Sequence, residues 1–309
     1  MNLLAKYTNG NYVVRLYDDG TKVKSNKLDN FTPDFAESID ITITNKCDGA
    51  CDFCYADCTV DGKHGNLNLD IFDSVHAGTE LALNANDLTH PDLENFLIKM
   101  RDKNVICNIT INQRHLLPNL NKLKDWQDKK LVWGIGVSLT NSTDPKLYDA
   151  MAQLKNAIIH VIDGCFTKFD LENLYGHDFA ILFLGFKHKG RGIYYYNKHK
   201  ESIKSNIKFL SEHLYDYKNG FRGFCFDTIS LENLEIKSVV SEDAWATHHM
   251  GEEGEFTFYI SLPDMTYSIS SMENEHIFPI KENDTLDSMF KHIREVSGFW
   301  GILWMNLLC

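Results

Sequence analysis

The strongest constraint on the fold is a regular alternation of short apolar runs with helix-length segments, which begins after Pro33. Such βα repetition is typical of a parallel sheet or barrel. Six units favour an α/β chain with a partial (β/α)6 TIM-like barrel, since a complete barrel needs eight strands. The predicted strands are Ser38–Thr44, Thr79–Asn84, Val105–Asn112, Leu131–Leu139, Ala157–Ile162 and Phe179–Phe186, with Phe224–Asp227 as a candidate for one more.

Two segments with a different sequence pattern flank this alternation. Tyr12–Lys24 consists of two β-patterned runs around DDG, which is the signature of a hairpin. Glu255–Leu262 and Thr266–Met272 predict a second hairpin, and a helix is expected over Leu286–Val296. We therefore divide the chain into an N-terminal hairpin extension (1–36), the partial barrel (37–228) and a small C-terminal α+β cap of hairpin and helix (229–309).

Four cysteines lie within twelve residues after the first predicted strand, in the segment CDGACDFCYADC. The chain has 309 residues, eight cysteines, 43% hydrophobic and 24% charged residues, which is ordinary for a globular protein and unlike a small disulfide-stapled one. We expect no secretory signal, because the N-terminal segment has no charged region followed by an apolar run. The apolar stretch GFWGILWMNLLC is too short to span a bilayer. A cytoplasmic location, no membrane contact and metal-binding cysteines are therefore expected.

Cys47, Cys51 and Cys54 have the spacing C-x3-C-x2-C. Barrel enzymes carry their active sites at the C-terminal ends of strands, so the location of these cysteines suits catalysis. Three thiolates can hold three corners of a [4Fe–4S] cube and leave the fourth iron open to a small molecule. A zinc site that includes Cys58 and a fully ligated electron-transfer cluster that recruits Cys58 are the alternatives.

An aromatic residue, Phe53, precedes the third cysteine, so the motif reads C-x3-C-x-aromatic-C. In this motif the chain resembles the radical S-adenosylmethionine (radical SAM) superfamily, and the alternation over residues 39–227 is similar to the partial barrel of that superfamily. The resemblance implies two cofactors, a [4Fe–4S] cluster on Cys47, Cys51 and Cys54 and S-adenosylmethionine (SAM) on the open iron. It also implies a reaction in which the reduced cluster cleaves SAM to methionine and a 5′-deoxyadenosyl radical, which abstracts hydrogen from a substrate.

The sequence departs from the superfamily after the second strand. Many members carry a GGEP-like sequence there, whose backbone and acidic group hold the SAM ammonium. This chain has Asn84-Ala85-Asn86-Asp87 instead and lacks the two glycines that permit close backbone approach. Asn and Asp oxygens accept hydrogen bonds, so we expect Asn84, Asn86 and Asp87 to lie at this place, with Asn86 or Asp87 as the ammonium partner. A polar strand-to-helix turn is the alternative.

Further cofactor contacts are expected beside the cysteines and at later strand ends. In the superfamily, polar residues after the third and fourth strands hold the SAM ribose and carboxylate. Residues 158–162 are expected to lie beneath the adenine. The expected contacts are Phe53, Tyr55, Asn112, Ser138 and Thr140, with Ser138 as the preferred ribose contact.

The net charge of −12 argues against a large nucleic acid as a partner, because such partners bind basic surfaces. The basic residues are scattered, apart from KHKGR after the sixth predicted strand. We expect Lys187, Lys189 and Arg191 in this loop to bind an anion, either the SAM carboxylate or a carboxylate or phosphate of the substrate. A solvated charged turn is the alternative.

The other cysteines receive different predictions. Cys58 is expected to be a free thiol and not a ligand. Cys107, Cys165 and Cys225 fall in predicted strands and are expected in the core. After Asp227 the sequence contains only Cys309, so that segment cannot hold a second cluster by itself.

The expected function is therefore that of a radical SAM enzyme acting on a peptide or a small metabolite. The resemblance also implies a one-electron donor such as flavodoxin or ferredoxin as a partner. A nucleotide-modifying radical SAM enzyme is one alternative, in which the KHKGRG loop grips phosphate. A non-catalytic iron–sulfur sensor or binding protein is the other, and the departure at residues 84–87 favours it.

Overall fold

The computed structural model describes residues 2–27, 30–49 and 51–299 of the chain, and it begins with a small antiparallel sheet. Two of its strands form the predicted hairpin around DDG, and a third strand precedes them and pairs with the hairpin's free edge. Every second side chain of the middle strand is buried, which is the pattern of a sheet with one packed face. The strands are β1 (Leu3–Asn9), β2 (Tyr12–Tyr17) and β3 (Lys22–Ser25).

Seven consecutive parallel strands form most of a second, larger sheet. They lie side by side in the order of the sequence, as expected of repeated βα units. All six predicted strands are among them, and the seventh lies at the additional candidate position. The strands are β4 (Ser38–Thr42), β5 (Glu80–Asn86), β6 (Ile106–Asn112), β7 (Ile135–Ser138), β8 (Ala157–Ile162), β9 (Ala180–Leu184) and β10 (Gly223–Phe226).

Three C-terminal strands extend the same sheet beyond β4. They are β11 (Thr257–Ser261), β12 (Thr266–Ser268) and β13 (Ile277–Pro279). The second predicted hairpin is present as β11 and β12, but it is continuous with the large sheet because β11 pairs in parallel with β4. The sheet order is β10–β9–β8–β7–β6–β5–β4–β11–β12–β13.

The large sheet is open. Among the strands that the structure describes, no ladder joins β10 to β13, so a closed TIM-like barrel is not formed. The predicted fold class is confirmed at the level of an α/β fold with a large, mostly parallel sheet.

Helices connect the parallel strands and follow them. Two short 3-10 helices, Asp70–Ser74 and Leu214–Gly220, accompany them. Among the described residues, no helix combines the length and the apolar composition needed to cross a membrane. The α-helices are α1 (Leu93–Asp102), α2 (Gln113–Asp128), α3 (Pro145–Met151), α4 (Lys168–Leu174), α5 (Arg191–His213), α6 (Thr228–Asn233), α7 (Ile236–Val239), α8 (Glu242–His248) and α9 (Leu286–Val296).

The two faces of the parallel sheet differ in polarity. One face is apolar and buried against the helices; in the central strands it carries Ile39, Ile41, Leu81, Leu83, Ile109, Ile111, Ile159 and Ile181. The opposite face carries polar side chains at the alternate positions, and most of them are only half-buried; they include Asp40, Asn84, Asn108, Thr110, Ser138 and His160. Parallel strands that are covered on both faces are normally apolar throughout. The alternation therefore marks a face that the helices leave partly open.

The small N-terminal sheet is attached to the large one by buried charges. Glu37, at the start of β4, is 1% exposed and lies 3.0 Å from the Lys24 Nζ and 3.4 Å from the Lys22 Nζ. The Lys22 Nζ also lies 2.6 Å from Glu80 Oε1, and the Tyr12 hydroxyl donates to Glu37 Oε1 at 2.5 Å. Each of these charges has a partner, so this cluster fixes how the two sheets pack.

Candidate functional site

The four clustered cysteines lie on one loop at the C-terminal edge of the parallel sheet, directly after β4. The loop folds back on its own first residues, since the Cys47 N–H donates to the Thr59 carbonyl at 2.8 Å and the Thr59 N–H donates to the Asn45 carbonyl at 3.1 Å. Because strands β4 to β10 run parallel, the ends of seven neighbouring strands point to this same edge. The prediction that the cysteines follow the first parallel strand is confirmed.

Three thiols of this loop, those of Cys47, Cys51 and Cys54, are half-buried. The Gly49 N–H donates to Cys47 Sγ at 3.2 Å. A methyl group on Gly49 would lie 2.9 Å from Cys47 Sγ and 3.7 Å from Cys51 Sγ, so the sulfur atoms of both residues lie beside this glycine. The loop therefore brings two thiols to one place because residue 49 has no side chain.

The fourth thiol, that of Cys58, is buried and hydrogen-bonded to Cys54. The Cys58 thiol donates to the Cys54 sulfur, which lowers the pKa of Cys54 to about 6 and raises the pKa of Cys58. The Asn86 Nδ2 lies 3.7 Å from Cys58 Sγ. Cys58 thus supports the thiolate form of Cys54 from inside the loop.

The cysteine thiols of this loop are the type of ligand that an iron–sulfur cluster requires. Among residues 2–27, 30–49 and 51–299, no three His, Cys, Asp or Glu side chains are arranged around the position of a single metal ion. A [4Fe–4S] cube makes a different demand, because each thiolate binds its own iron. Three half-buried thiols on one loop, one of them with a depressed pKa, meet that demand.

Arg191, in the predicted anion-binding loop, holds the cysteine loop. Its Nε donates to the Cys51 carbonyl and its Nη2 to the Cys58 carbonyl, both at 3.0 Å. Its backbone N–H donates to Asp57 Oδ1 at 2.8 Å and to the Cys54 carbonyl at 3.1 Å. The start of α5 is thereby fastened to both ends of the segment 51–58.

Gly190 makes this close approach possible. Its φ is +54°, and a Cβ there would lie 2.5 Å from the Tyr55 carbonyl oxygen. A residue with a side chain would therefore be strained in its backbone and would collide with the cysteine loop. Gly190 therefore allows the basic loop to contact the cysteine loop of the same chain.

The two other basic residues of the loop also have protein partners. Lys187 Nζ donates to Ser271 Oγ at 2.9 Å and lies 4.3 Å from the centre of the Tyr55 ring. Lys189 Nζ donates to the Ser271 carbonyl at 3.0 Å. These three basic side chains therefore connect the strand ends and the cysteine loop, and are not directed only toward solvent.

The last residue of β5 and the residue after it lie beside the cysteine loop. Asn86 has a φ of +48°, and its Nδ2 donates to the carbonyls of Thr44 (3.2 Å) and Lys46 (3.1 Å). Asp87 Oδ1 accepts from the backbone N–H and the hydroxyl of Thr89, and its charge raises the pKa of Cys47 in addition to the effect of burial. The Asn86 amide thus holds the loop, and Asp87 is the negative group close to Cys47.

Polar residues at the next two strand ends come together at the same edge. Asn112 lies opposite Ser138, and its Nδ2 is 4.0 Å from Cys51 Sγ. Asn112 Oδ1 caps α2 by accepting from the Arg114 N–H. The Ser138 hydroxyl has no hydrogen-bond partner among the described residues, whereas Thr140 donates through both its N–H and its hydroxyl to Gln113 Oε1. The structure places Asn112 and Ser138 at the site and gives Thr140 a partner in a turn.

The two aromatic residues beside Cys54 face different neighbours. Phe53 packs edge-to-face on Tyr195 of α5, with ring centroids 5.5 Å apart. Tyr55 lies beneath Lys187, and burial raises its pKa to about 12. Tyr55 therefore connects the cysteine loop to the polar face of the sheet.

Sequence reasoning missed two ionisable residues on that polar face. Desolvation by its surroundings raises the pKa of Asp40 to about 6, although the residue is exposed to solvent. Burial lowers the pKa of His160 to about 4, and its ring lies over Gly136, where a Cβ would be 2.2 Å from it. Cys225, predicted in the core, is exposed on the same face. The signal was available, because polar and apolar residues alternate in these parallel strands.

One hydrogen bond shows that the sheet curves around this space. Lys187 follows β9 and Ser271 follows β12, and these strands are seven positions apart in the sheet order. A flat sheet would separate them by roughly 34 Å. Their side chains nevertheless meet at 2.9 Å. The polar face is therefore concave.

No family model matches the sequence. No curated protein matches it either. Among solved structures, the fold is similar to that of Streptococcus suis SuiB, whose structure was determined with S-adenosylmethionine bound. The TM-score is 0.51 at 14% sequence identity, and the match covers 84% of this chain and 64% of SuiB. The likeness is one of fold, and it covers less than two thirds of that protein's length.

Proposed function

We propose that this chain is a radical SAM enzyme that acts on a peptide or a small metabolite. The observation that carries the proposal is the position of three half-buried thiols, those of Cys47, Cys51 and Cys54, on one loop at the C-terminal edge of a curved parallel sheet. The fold likeness to a protein bound to SAM supports it. The concave sheet supports the predicted partial barrel as the form of the catalytic region.

In this proposal Cys47, Cys51 and Cys54 hold a [4Fe–4S] cluster, and SAM lies between the loop and the strand ends. Together these two cofactors would supply a 5′-deoxyadenosyl radical that takes hydrogen from the substrate. Asn86 or Asp87 is the proposed partner of the SAM ammonium, and Asn112 and Ser138 offer an amide and a hydroxyl to the carboxylate and ribose. The external electron donor is a one-electron protein such as flavodoxin or ferredoxin.

The chain's own residues prepare this site. Cys58 stabilises the Cys54 thiolate by a hydrogen bond, and Asn86 and Arg191 fix the loop that carries the thiols. Lys187, Lys189 and Arg191 all have protein partners, so no observation favours the phosphate-gripping role that a nucleotide substrate would require.

The test is anaerobic reconstitution with iron and sulfide, reduction with dithionite and assay for 5′-deoxyadenosine formed from SAM. Each single change of Cys47, Cys51 or Cys54 to Ala should remove the cluster absorbance and the paramagnetic resonance signal of the reduced state, because all three thiolates are ligands. Cys58→Ala is the matched control and should retain both signals.

Two outcomes would contradict the proposal. Loss of the cluster in Cys58→Ala would indicate a fully protein-ligated site. A stable cluster in the unaltered protein with no 5′-deoxyadenosine would favour a non-catalytic iron–sulfur protein.

A further inference from the structure

The middle of the concave face carries polar side chains that the mechanism so far does not use. Asn108 and Thr110 belong to β6, and His160 belongs to β8. These two strands lie on either side of β7 in the sheet, and all three residues are half-buried on its polar face. They therefore form a polar floor around β7.

Two glycines let these side chains lie over β7. Gly134 immediately precedes β7, and a Cβ there would lie 2.7 Å from Asn108 Oδ1. Gly136 lies within β7, and a Cβ there would lie 2.3 Å from His160 Nε2. A side chain at either position would therefore displace its neighbour. The Asn108 amide thus reaches over β7 from one side and the His160 imidazole from the other.

The spacing of the two glycines sets the spacing of the two side chains. Positions 134 and 136 are two residues apart along the strand direction, which corresponds to roughly 6.6 Å. The Gly134 N–H donates to Asn108 Oδ1 at 2.8 Å and so holds the amide in place. The gap between Asn108 and His160 therefore suits one small polar group with a hydrogen bond of about 2.9 Å at each end.

The protein itself does not use the hydrogen-bonding capacity of this floor. Among the described residues, the His160 ring has no hydrogen-bond partner, and neither has the hydroxyl of Thr110, which lies beside Gly136 in the register of β6 and β7. Asn108 accepts from Gly134 through its oxygen, and its Nδ2 has no acceptor in the same part of the chain. Pockets that bind small molecules carry a few such polar groups, which orient the ligand.

The floor is electrically neutral. Desolvation lowers the pKa of His160 to about 4, so the imidazole is uncharged at neutral pH, and no charged side chain among the described residues contributes to this shift. Neutral imidazole has one nitrogen donor and one nitrogen acceptor, and the Asn108 Nδ2 group is a donor. A charged ligand group would lack a counter-charge here, which is costly in a half-buried place. The group that fits is uncharged, accepts a hydrogen bond at one end and donates one at the other, as an amide does.

We propose that Asn108 and His160 bind an amide group of the substrate on the concave face, with the amide carbonyl at Asn108 and the amide N–H at His160. This inference deepens the proposed function and rests on it for the word substrate, while the binding site itself is a property of the folded chain. It narrows the substrate class to peptides and to metabolites that carry a carboxamide.

The probes are N-butylacetamide and butyl acetate, which have the same chain length and differ in that an oxygen atom replaces the N–H group. Their affinities for the full chain, reconstituted with its cluster, are measured by ligand-observed NMR titration at pH 7. We expect the amide to bind about two- to tenfold more tightly than the ester, which is the effect of one hydrogen bond.

Two variants test the two ends of the site separately. His160→Phe keeps a ring over Gly136 and removes both nitrogens, so it should abolish the preference for the amide. Asn108→Asp keeps an acceptor for the Gly134 N–H and replaces the donor by a carboxylate, so it should weaken both probes, because both carry a carbonyl. His177→Phe, at an exposed histidine before β9, is the matched control and should keep both the affinity and the preference.

Equal affinity of the unaltered protein for the two probes would overturn the proposal. Retention of the preference in His160→Phe would overturn it as well, and so would undiminished binding of both probes by Asn108→Asp. If the unaltered protein shows no preference and His160→Phe binds 5′-deoxyadenosine less tightly, the ring belongs to the adenine site, as the sequence-based expectation for residues 158–162 has it.

Two measurements keep the test decisive. Circular dichroism spectra show whether each variant is folded, and the comparison of the two probes on the unaltered protein needs no variant at all. The formation of 5′-deoxyadenosine from SAM and dithionite, assayed without either probe, reports on the proposed function separately, so either result can fail alone.

Discussion

Two carboxylates three residues apart, Glu37 and Asp40, lie in very different surroundings. Glu37 precedes β4 and is enclosed by Lys22, Lys24 and the Tyr12 hydroxyl. Asp40, in β4 itself, is exposed to solvent and has no hydrogen-bond donor among the described residues. The two carboxylates therefore differ both in burial and in partners.

The difference teaches how charge is used in this molecule. A buried carboxylate with two lysines and a hydroxyl contributes to the packing of two sheets, and its removal leaves Lys24 without a carboxylate and Lys22 with Glu80 alone. Ionisation of a carboxyl whose pKa is raised by desolvation costs stability, and perturbed pKa values are frequent at functional sites. The comparison can be tested by substitutions at Glu37 and Asp40 and by substitutions that affect the cysteine loop.

The largest effect is expected for Glu37→Ala. The change leaves Lys24 buried without its carboxylate and leaves Lys22 with Glu80 alone, and breaking a buried ion pair costs about 3–5 kcal/mol of unfolding free energy. Urea unfolding at pH 7 measures it, with the exposed Glu94→Gln as a control that should stay within about 0.5 kcal/mol. A loss below about 1 kcal/mol would mean that the cluster is not a structural connection.

A smaller effect, confined to the cysteine loop, is expected for Arg191→Ala. The guanidinium donates to two carbonyls of the segment 51–58, and each charge-assisted hydrogen bond contributes about 1.5–3 kcal/mol. The iron and sulfide bound per chain after reconstitution should therefore fall. Lys189→Ala, which removes a hydrogen bond to Ser271 and leaves the cysteine loop untouched, should bind the full amount.

A different result would support the prediction, made from the sequence, that Arg191 binds an anion. If Arg191→Ala keeps its iron but loses affinity for SAM, the side chain binds the methionine carboxylate and does not hold the loop. If only substrate affinity falls, the substrate carries an anion at this position.

Much of the fold could be predicted because its signals are local. The apolar runs that form β4 to β9 are visible in the sequence, and so are the helix-length segments between them. The cysteines directly follow the first of these runs, so their loop was expected at a strand end. The pairing of β11 with β4 could not be predicted, because it joins residues more than 200 positions apart and leaves no local pattern. A hairpin reads the same in sequence whether it stands alone or extends a sheet.

The site was predictable in part for the same reason. Cys47 follows β4, Asn86 ends β5 and Asn112 ends β6, and they lie together because parallel strands end at one edge. Arg191 was assigned to anion binding because a basic loop in an acidic chain suggests a ligand, while its carbonyl partners lie more than 130 residues away. Asp40 was missed because only the loop after β4 was considered for function. The alternation of Ile with Ser, Asp and Thr within β4 nevertheless indicated that one face of the strand is polar.

An effect on cofactor binding of roughly tenfold is expected for Asp87→Ala. Asp87 is one of the negative groups that act on Cys47, and loss of one charge-assisted hydrogen bond to the SAM ammonium costs about 1.5 kcal/mol. SAM affinity, measured by equilibrium dialysis on reconstituted protein, should fall while the iron content stays unchanged. Asp92→Ala, which removes the same charge farther along the chain, should bind SAM normally; equal affinity in both variants would sink the assignment.

The smallest change in unfolding free energy is expected for Asp40→Asn. Its sign should be opposite to that of a substitution at Glu37. The folded pKa of Asp40 is raised from 3.8 to about 6, by burial first and then by Glu253 and Asp227 against the opposing effect of Lys187. The folded chain therefore holds this proton more tightly than the unfolded chain does, so ionisation of Asp40 costs stability as the pH rises. Relative to the unaltered protein, Asp40→Asn should gain stability between about pH 4 and pH 6 and keep the gain at pH 7.

Glu37→Gln is the matched comparison for this measurement, and it should lose stability at pH 7 because Lys24 loses its counter-charge and Lys22 keeps that of Glu80 alone. Unfolding free energies of both variants across pH 4–8 decide the question. If Asp40→Asn also loses stability at pH 7, Asp40 is a partnered structural charge like Glu37.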